Sequence, residues 1–473
     1  MNMEERIQQV DGLGLKALLN EGELTTLDVT NFYIKQIKAK NPALNAVVHT
    51  MFDEALANAE TILPTQGTLA GLPFLIKDLN DVQGQPTTHG SNLLEGYVAK
   101  DDEMLTKRYR NAGLVFLGKT NTPEFGFLAT TEPTYIGPAR NPWDLTRSAG
   151  GSSGGAAAAV AAGMVPFAHG SDGGGSIRIP ASCCGLFGLK PSRGRGPYGM
   201  YMNDIAVNHS LTRSVRDSAA LLDAMKGKGN YESYPPLAQD VLYLNEVHRE
   251  PRSLKVAVAP NWNNQVSISP ENEQAIEETV TLLQELGHQV TYDTPVFDFQ
   301  QFAEDFITIW IASGSVIMKH LGQLTGNEPN ANNVEPLSYD VWKQGEQYSA
   351  LEYEEARIRM QMVAKKVLAF YDQYDIMVTP VLNGLPAKVG AFSNQQHARE
   401  DMLDTMTNYV SFTQIANATG QPAMSVPLHW TKEGLPVGVH FMGRLSDEQT
   451  LFQLAGQLER KRPWFHRYNA ISL

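Results

Sequence analysis

The blocks Gly150-Gly151-Ser152-Ser153-Gly154-Gly155 and Ser171-Asp172-Gly173-Gly174-Gly175-Ser176-Ile177-Arg178 each set a serine among glycines. Glycine backbone adopts positive φ and comes close to a ligand, so successive N–H groups can converge on an anion. The run before Ser176 is therefore a candidate oxyanion hole. An alanine-rich helix at 156–162 and an apolar strand at 164–168 are predicted between the blocks, which would place both serines on rigid elements.

A flexible linker is the alternative interpretation of residues 150–155, because Gly/Ser-rich runs are usually linkers. A linker is normally flanked by polar residues, whereas this run leads directly into the predicted apolar helix and strand. The pattern therefore favours an active site.

The same blocks carry a resemblance to the amidase signature family. They and the segment Gly185-Leu186-Phe187-Gly188-Leu189-Lys190-Pro191 are similar to the family signature. Other similar segments lie at 71–78, 140–144 and 434–439, so the resemblance covers most of the chain. Within the family, residues 169–172 and 190–195 look most like the 6-aminohexanoate cyclic dimer hydrolase branch.

The fold that the resemblance implies is an α/β fold: one large α/β/α domain with a mixed, twisted sheet, spanning residues 1–473 with the signature core at about 70–215. Hydrophobic periodicity agrees, because strand-like runs alternate with helical ones. The periodicity predicts two helices within 12–40 and others at 54–62, 104–113, 215–225, 271–286 and 402–418. It predicts strands at 46–48, 74–76, 114–117, 255–259, 289–292, 376–380, 423–427 and 437–441.

The charge balance limits the partners. The chain has 51 acidic and 38 basic side chains, a net charge of −13, which opposes binding to a phosphate backbone or an anionic lipid surface. The polar start lacks a secretory signal, and the apolar runs near 156–168 and 306–318 are shorter than the ~20 residues of a membrane helix. We predict a cytoplasmic protein with a small-molecule amide substrate, no nucleic-acid partner and no membrane partner; a homodimer is left open.

Metal and redox sites have no support in the sequence. No HExxH or paired CxxC motif occurs, so no metal and no cofactor is predicted. The only two cysteines, Cys183 and Cys184, are adjacent and allow no ordinary disulfide framework. We predict that they are small buried residues.

Lys77 follows an apolar run and has two interpretations. On spacing alone it is predicted to be a surface residue that closes a strand; the alternative is a buried lysine whose ammonium is desolvated for chemistry. The resemblance reverses that preference, since the motif matches the family's catalytic lysine. It implies that Ser176 is the nucleophile, that Ser152, after a cis peptide bond from Gly151, relays the proton, and that neutral Lys77 is the base.

The remaining site residues also come from the resemblance. The oxyanion donors would be backbone N–H groups of the nucleophile loop, namely Gly173, Gly174, Gly175 and Ser176. Asp172 and Arg178 would pair and hold this loop rigid, solvent exposure being the alternative. Gly126 lies in the segment 119–126, which resembles the family's pocket wall, and its backbone would meet the substrate. An ordinary strand-to-helix loop is the alternative there.

The predicted activity is that of an amidase acting on a neutral or largely apolar amide, cyclic amides included, through an acyl-enzyme. Apolar side chains near the signature support this substrate class: Phe125, Phe127, Tyr198, Met200, Tyr201 and Met202. The alternatives are an ammonia-supplying subunit of an aminoacyl-tRNA amidotransferase and a carbamate or ester hydrolase of the same family. Residues 150–154 also match the G-x-S-x-G elbow of α/β-hydrolases, which would need a histidine such as His209, His248 or His440.

Three further segments have weaker patterns. An aromatic stripe of Phe299, Phe302, Phe306 and Trp310 recurs at helical spacing and is predicted to be core rather than pocket. The polar stretch 322–347 could be a lid or a subunit contact. Residues 226–252 lack periodicity and are predicted to be a surface excursion.

Overall fold

The structure, a computed structural model, describes residues 2–199, 201–202, 204–227 and 241–473. In these residues the strands are β1 (Val47–Thr50), β2 (Pro73–Lys77), β3 (Val115–Thr120), β4 (Arg140–Asn141), β5 (Asp144–Ser148), β6 (Phe167–Asp172), β7 (Phe187–Lys190), β8 (Val207–Thr212), β9 (Lys255–Val258), β10 (Gln289–Tyr292), β11 (Ile376–Pro380), β12 (Ala423–Trp430) and β13 (Pro436–Gly443).

The same residues form helices α1 (Met3–Gln8), α2 (Gly12–Asn20), α3 (Thr26–Leu44), α4 (Phe52–Thr61), α5 (Met104–Asn111), α6 (Gly154–Ala161), α7 (Arg178–Cys184), α8 (Val215–Met225), α9 (Tyr243–Glu246), α10 (Pro270–Glu285), α11 (Phe299–Thr325), α12 (Pro336–Gly345), α13 (Ala350–Phe370), α14 (Ala398–Asn408), α15 (Gln414–Thr419) and α16 (Glu448–Lys461).

Eleven of the described strands form one mixed sheet in the order β1-β3-β2-β6-β8-β7-β12-β13-β11-β9-β10. Strands β3, β2 and β6 run parallel, as do β10, β9 and β11, while the strands between these groups pair antiparallel. Because the carboxyl ends of neighbouring parallel strands meet at one edge, the ends of β2 and β6 lie side by side. The predicted α/β fold with a mixed sheet is confirmed.

Helices α6 and α7 follow the two serine blocks and are buried along their whole length. The alanines of α6 let it pack closely on β2, β3 and β6, while α7 packs on β7, β12 and β13. Cys183 and Cys184, at the end of α7, are fully buried, as predicted. Both serine blocks are thus held against the centre of the sheet.

The predicted strand at 164–168 is wrong in its bounds, since β6 begins at Phe167 and continues to Asp172. Pro166 has no N–H to donate to a ladder, so the strand begins after it. The ladder with β8 pairs Phe167 with Thr212 and Asp172 with Val207. The strand therefore leads directly into residues 173–176, which are called the nucleophile loop after their predicted role.

The predicted single helix at 402–418 is also wrong, because the chain leaves the helical path at Tyr409 and resumes at Gln414. The side chain of Asn383 holds the break: its Nδ2 donates to the Thr407 carbonyl at 3.2 Å, and its Oδ1 accepts from the Ser411 N–H at 3.0 Å. These bonds replace helical ones and turn α15 toward the end of β6.

Among the residues that the structure describes, the buried apolar side chains form two clusters. One follows the sheet, and the other lies among α11, α13, α14 and α15. No helix in the described ranges has the length and apolar composition that a membrane crossing needs. The stretch 322–347 contains α12, which packs on α11; its role as a lid or subunit contact stays a prediction. Of the predicted excursion at 226–252, residues 228–240 lie outside the described residues.

Candidate active site

Lys77 is the last residue of β2 and is fully buried. The surface position predicted from spacing alone is therefore wrong, and the strand end lies inside the molecule because α6 and the end of β6 cover it. Its Nζ donates to Ser152 Oγ at 2.7 Å and to Ser171 Oγ at 3.0 Å. Burial lowers the pKa of Lys77 to about 7, against the opposing effect of the Asp172 carboxylate.

Ser152 lies in the turn that leads into α6. The Gly151–Ser152 peptide bond is cis, and α6 begins two residues later, at Gly154. The Ser153 N–H donates to the Ser176 carbonyl at 3.2 Å, which ties the first serine block to the second. Lys77, Ser152 and Ser176, which sequence reasoning placed in one site, therefore lie together in the structure.

Asp172 and Arg178 form a fully buried ion pair, with Nη2 and Oδ1 2.8 Å apart. Asp172 also accepts the N–H groups of Gly175 at 2.8 Å and Ile177 at 3.2 Å. Burial alone would raise the pKa of Asp172, but the Arg178 charge and hydrogen bonds hold it well below its usual range. The carboxylate fixes both ends of the turn that presents Ser176.

The backbone N–H groups of the nucleophile loop differ in whether they already have a hydrogen-bond acceptor. Gly175 donates to Asp172, whereas those of Gly173, Gly174 and Ser176 donate to no acceptor within the described part of the chain. Gly175 has φ +132°, and a Cβ there would lie 2.3 Å from Thr413 Oγ1. Only glycine fits this position. Three of the four predicted oxyanion donors are therefore available to a ligand.

Helix α15 and the residue before it support this loop, although they are distant from it in the sequence. Thr413 Oγ1 donates to the Gly174 carbonyl at 2.6 Å, and Arg178 Nη1 donates to the Thr413 carbonyl at 2.7 Å. Asn417 Nδ2 donates to the carbonyl and to Oδ1 of Asp172, both at 3.0 Å. Sequence reasoning missed these partners, since a threonine and an asparagine in a helical segment carry no signal of a contact so distant in the chain.

Two arms of a cleft meet at Ser176. The apolar arm, of about 70 Å³, is lined mainly by Phe127, Ile179, Phe306, Trp310, Met402 and Met406. The polar arm, of about 300 Å³, is lined by Ser152 and Ser171 together with Asn80, Asp81, His89, Tyr97 and Glu103. Ser176, Phe127 and Trp310 border both arms. Ser176 thus faces an apolar and a hydrogen-bonding environment at once.

The predicted pocket residues fall on both arms. Phe125, Gly126, Tyr198, Tyr201 and Met202 line the polar arm. A Cβ on Gly126 would lie 3.3 Å from Ser152 Oγ, so a side chain there would crowd the site. Met200 lies outside the described residues.

The aromatic stripe belongs to the core, and its second half also borders the cleft. All four rings, Phe299, Phe302, Phe306 and Trp310, are buried in the helical cluster, as predicted. Phe306 and Trp310 line the apolar arm as well, because α11 runs from the cluster to the nucleophile loop. The two rings stack with centroids 5.7 Å apart.

The polar arm contains carboxyl groups that sequence reasoning did not single out. Tyr97 Oη donates to Asp81 at 2.9 Å, and Asn80 Nδ2 donates to Glu103. Burial, with the nearby Asp81 charge, raises the pKa of Glu103 to about 7. Across the part of the chain that the structure describes, no three His, Cys, Asp or Glu side chains group as metal ligands would.

The histidines required by the G-x-S-x-G interpretation lie elsewhere. His209 hydrogen-bonds Ser218 at 2.8 Å, and His440 hydrogen-bonds Thr379 and Arg178, both at 2.9 Å. His248 is exposed. Ser152 Oγ is hydrogen-bonded by Lys77, so the geometry favours a lysine-dependent site over a histidine triad.

The family model described as Amidase matches residues 28–452. The chain belongs to the amidase signature family. "Putative amidase AmiC" of Mycobacterium tuberculosis is 35% identical to this amidase over 468 residues, covering 98% of this chain and 96% of the relative. The 6-aminohexanoate-cyclic-dimer hydrolase of Paenarthrobacter ureafaciens is 34% identical over 474 residues, covering 97% and 96%.

A solved structure of 6-aminohexanoate cyclic dimer hydrolase matches this amidase with a TM-score of 0.91 at 33% identity, covering 97% of this chain and 98% of that one. The resemblance stated from the sequence is thereby confirmed, including its similarity to the cyclic dimer hydrolases. This amidase is an enzyme that acts on carbon–nitrogen bonds.

Proposed function

We propose that this amidase hydrolyses a neutral or largely apolar amide, cyclic amides included, through a Ser-Ser-Lys triad and an acyl-enzyme. The observation that carries the proposal is the 2.7 Å hydrogen bond between Lys77 Nζ and Ser152 Oγ, beside Ser176 in the cleft. A fully buried lysine bonded to hydroxyl groups can give up its proton near neutral pH and act as a base.

In the first half-reaction, neutral Lys77 takes the Ser152 hydroxyl proton while Ser152 takes that of Ser176. The Ser176 Oγ attacks the amide carbon and forms a tetrahedral intermediate. The proton then returns through Ser152 to the amide nitrogen, the C–N bond breaks, and the amine leaves an acyl-Ser176 ester. Water, deprotonated through the same relay, attacks this ester, releases the carboxylic acid and restores the Ser176 hydroxyl.

The negative charge on the tetrahedral intermediate needs donors that are already oriented. We assign this role to the N–H groups of Gly173, Gly174 and Ser176, which have no acceptor in the described ranges. Gly175 supports the loop instead, because its N–H donates to Asp172. The Asp172–Arg178 pair holds the donors in place, so they need not reorganise during the reaction.

The lining of the cleft supports the proposed substrate class. The apolar arm offers aromatic and thioether surface, and the polar arm contains carboxyl groups that disfavour a substrate carboxylate. The arginines near the loop are engaged elsewhere: Arg195 pairs with Glu448 at 2.9 Å, and Arg178 with Asp172. A free α-carboxylate, as in glutamine, would therefore lack the arginine fork that normally binds it. The hydrolase named for a cyclic dimer supports the inclusion of cyclic amides.

Covalent labelling tests the assigned nucleophile. Reaction with a serine-directed phosphonate should add one adduct, located on the peptide that contains Ser176, and Ser176→Ala should remove both the adduct and the amidase activity. An adduct on Ser152 or Ser153 would contradict the assignment and favour the G-x-S-x-G elbow.

The substrate class is tested by kcat/KM for acyl chains of increasing length on a common leaving amine, with glutamine, carbamates and esters as comparators. Each methylene buried should contribute up to ~0.8 kcal/mol until the arm is full. A flat series with efficient glutamine hydrolysis would contradict the proposal and support an ammonia-supplying subunit. Faster turnover of carbamates or esters than of matched amides would reassign the reaction.

A further inference from the structure

Gln414 is a buried polar side chain in the apolar arm. It is 4% exposed, and the arm around it is built largely from aromatic, aliphatic and methionine side chains. Among the described residues, its Oε1 has no hydrogen-bond partner and its Nε2 donates to no acceptor. Thr405, another polar side chain of the arm, donates to the Asp401 carbonyl at 2.9 Å and accepts from Gln395 at 2.7 Å.

The position of Gln414 is set by its neighbours. Thr413 and Asn417 bind the nucleophile loop and fix α15 against it. Gln414, between them, lies against Gly174: a Cβ on Gly174 would lie 3.6 Å from Gln414 Cγ. The amide is thus held beside the loop without contributing a bond to it.

An unpaired amide in an apolar site has an energetic cost. Buried polar groups in proteins are nearly always hydrogen-bonded. A buried group left without a hydrogen bond costs more free energy than a formed hydrogen bond contributes. A ligand group in the arm would remove that cost. The carboxamide is uncharged and offers both a donor and an acceptor. Its natural complement is another amide, while an alkyl chain would leave it unpaired.

We propose that Gln414 is a specificity-determining residue that binds a second amide group of the substrate in the apolar arm. This inference rests on the proposed function, since the first amide is the one hydrolysed at Ser176. The arm selects substrates with two amide groups over alkyl amides of the same length. It also excludes charged groups, because its lining holds no ionisable side chain.

The test compares matched substrates. The anilide of N-acetylated aminohexanoic acid is compared with the anilide of nonanoic acid, which has the same acyl chain length but no second amide. The hexanoyl amide of mono-N-acetylated pentanediamine is compared with N-octylhexanamide, so that the second amide lies on the amine side. Wild-type enzyme should favour the diamide about tenfold or more in kcat/KM in at least one pair.

Gln414→Met retains side-chain volume and removes both hydrogen-bonding groups, so the ratio of kcat/KM for the diamide to that for the monoamide should fall at least tenfold, with the larger loss on the diamide. Gln414→Leu provides a second variant should the first fold poorly. Met406→Leu, in the same arm, is the matched control and should change both substrates of a pair by the same factor. Phosphonate labelling of Ser176 in each variant checks that the reaction centre is intact.

Monoamide hydrolysis with no diamide preference in either pair would overturn the role of Gln414 and leave the proposed function standing. Equal losses on both members of a pair in Gln414→Met would also overturn it, because the residue would then act on the loop rather than on the second amide. Hydrolysis of neither pair by wild-type enzyme would overturn the proposed function together with this inference.

Discussion

Lys77 and Lys119 are both fully buried, on the neighbouring parallel strands β2 and β3, where Lys119 pairs with Ile76 and Lys77 with Thr120. Their partners differ. Lys119 Nζ lies 2.9 Å from Asp78 Oδ1 and donates to the Pro86 carbonyl and to Thr87 Oγ1. Lys77 donates to two serine hydroxyls, and no carboxylate in the described residues forms an ion pair with it.

The difference separates Lys119, a lysine with a structural ion pair, from Lys77, the proposed base. A buried ammonium beside a carboxylate has its charge compensated, and removing one member of the pair leaves an uncompensated buried charge. A buried ammonium bonded only to hydroxyls is destabilised by desolvation and releases its proton easily. Burial alone therefore identifies neither role; the partner does.

The largest expected effect is the loss of catalysis when Lys77 is replaced. Lys77→Met should lower kcat by roughly 10²- to 10⁴-fold, because the proposed general base is removed. Lys77→Arg should do the same, since a guanidinium is not deprotonated in proteins. Circular dichroism should remain that of the wild type. Near-normal turnover in either variant would remove Lys77 from the mechanism.

Replacing Lys119 should instead lower stability and leave most of the activity. Lys119→Met should lower the free energy of unfolding by about 3–5 kcal/mol, because Asp78 is left charged, buried and without its partner. Denaturant titration measures this loss. Turnover per folded molecule should stay within about tenfold of the wild type, since Lys119 donates to neither serine.

The double variant Asp78→Leu with Lys119→Met is the control for this prediction. Removing both charges should recover part of the lost stability, because no uncompensated charge then remains. A thousandfold loss of turnover in well-folded Lys119→Met would contradict the comparison and place Lys119 in the chemistry.

The sequence predicted the α/β fold, most strands and the grouping of Lys77, Ser152 and Ser176 in one site, because these features lie in local patterns or in the motif itself. It could not decide whether Lys77 is buried, since a lysine after an apolar run is compatible with both outcomes. The structure decides this through the pairing of β2 with β6 and the packing of α6.

What the sequence could not supply depends on contacts between distant segments. The break at 409–413 follows from hydrogen bonds to Asn383, which periodicity does not report. The same break lets Thr413 and Asn417 reach the nucleophile loop and brings Gln414 to the cleft. Likewise, only the course of α11 shows that Phe306 and Trp310 line the cleft.

The pH dependence of the rate provides a further test of the difference between Lys77 and Lys119. With the pKa of Lys77 lowered to about 7, its neutral fraction, and with it kcat/KM, should fall about tenfold for each pH unit below 7 and level off above it. The double variant at Asp78 and Lys119 should keep this acid limb. A rate independent of pH between 5 and about 8 would contradict a lysine base of this pKa.

The smallest expected effect comes from removing one hydroxyl acceptor at each lysine, Ser171 at Lys77 and Thr87 at Lys119. Ser171 Oγ accepts a hydrogen bond from Lys77 at 3.0 Å, and Thr87 Oγ1 accepts one from Lys119 at 2.6 Å. An acceptor favours the charged form of an amine, so Ser171→Ala should lower the pKa of Lys77 further and move the acid limb to lower pH. The net worth of one hydrogen bond, about 0.5–1.5 kcal/mol, limits this shift to roughly one pH unit and the loss of plateau rate to about tenfold. Thr87→Val removes the matching acceptor at Lys119 and should leave the acid limb in place. Equal shifts in the two variants, measured as full profiles of kcat/KM against pH, would show that the limb does not report Lys77.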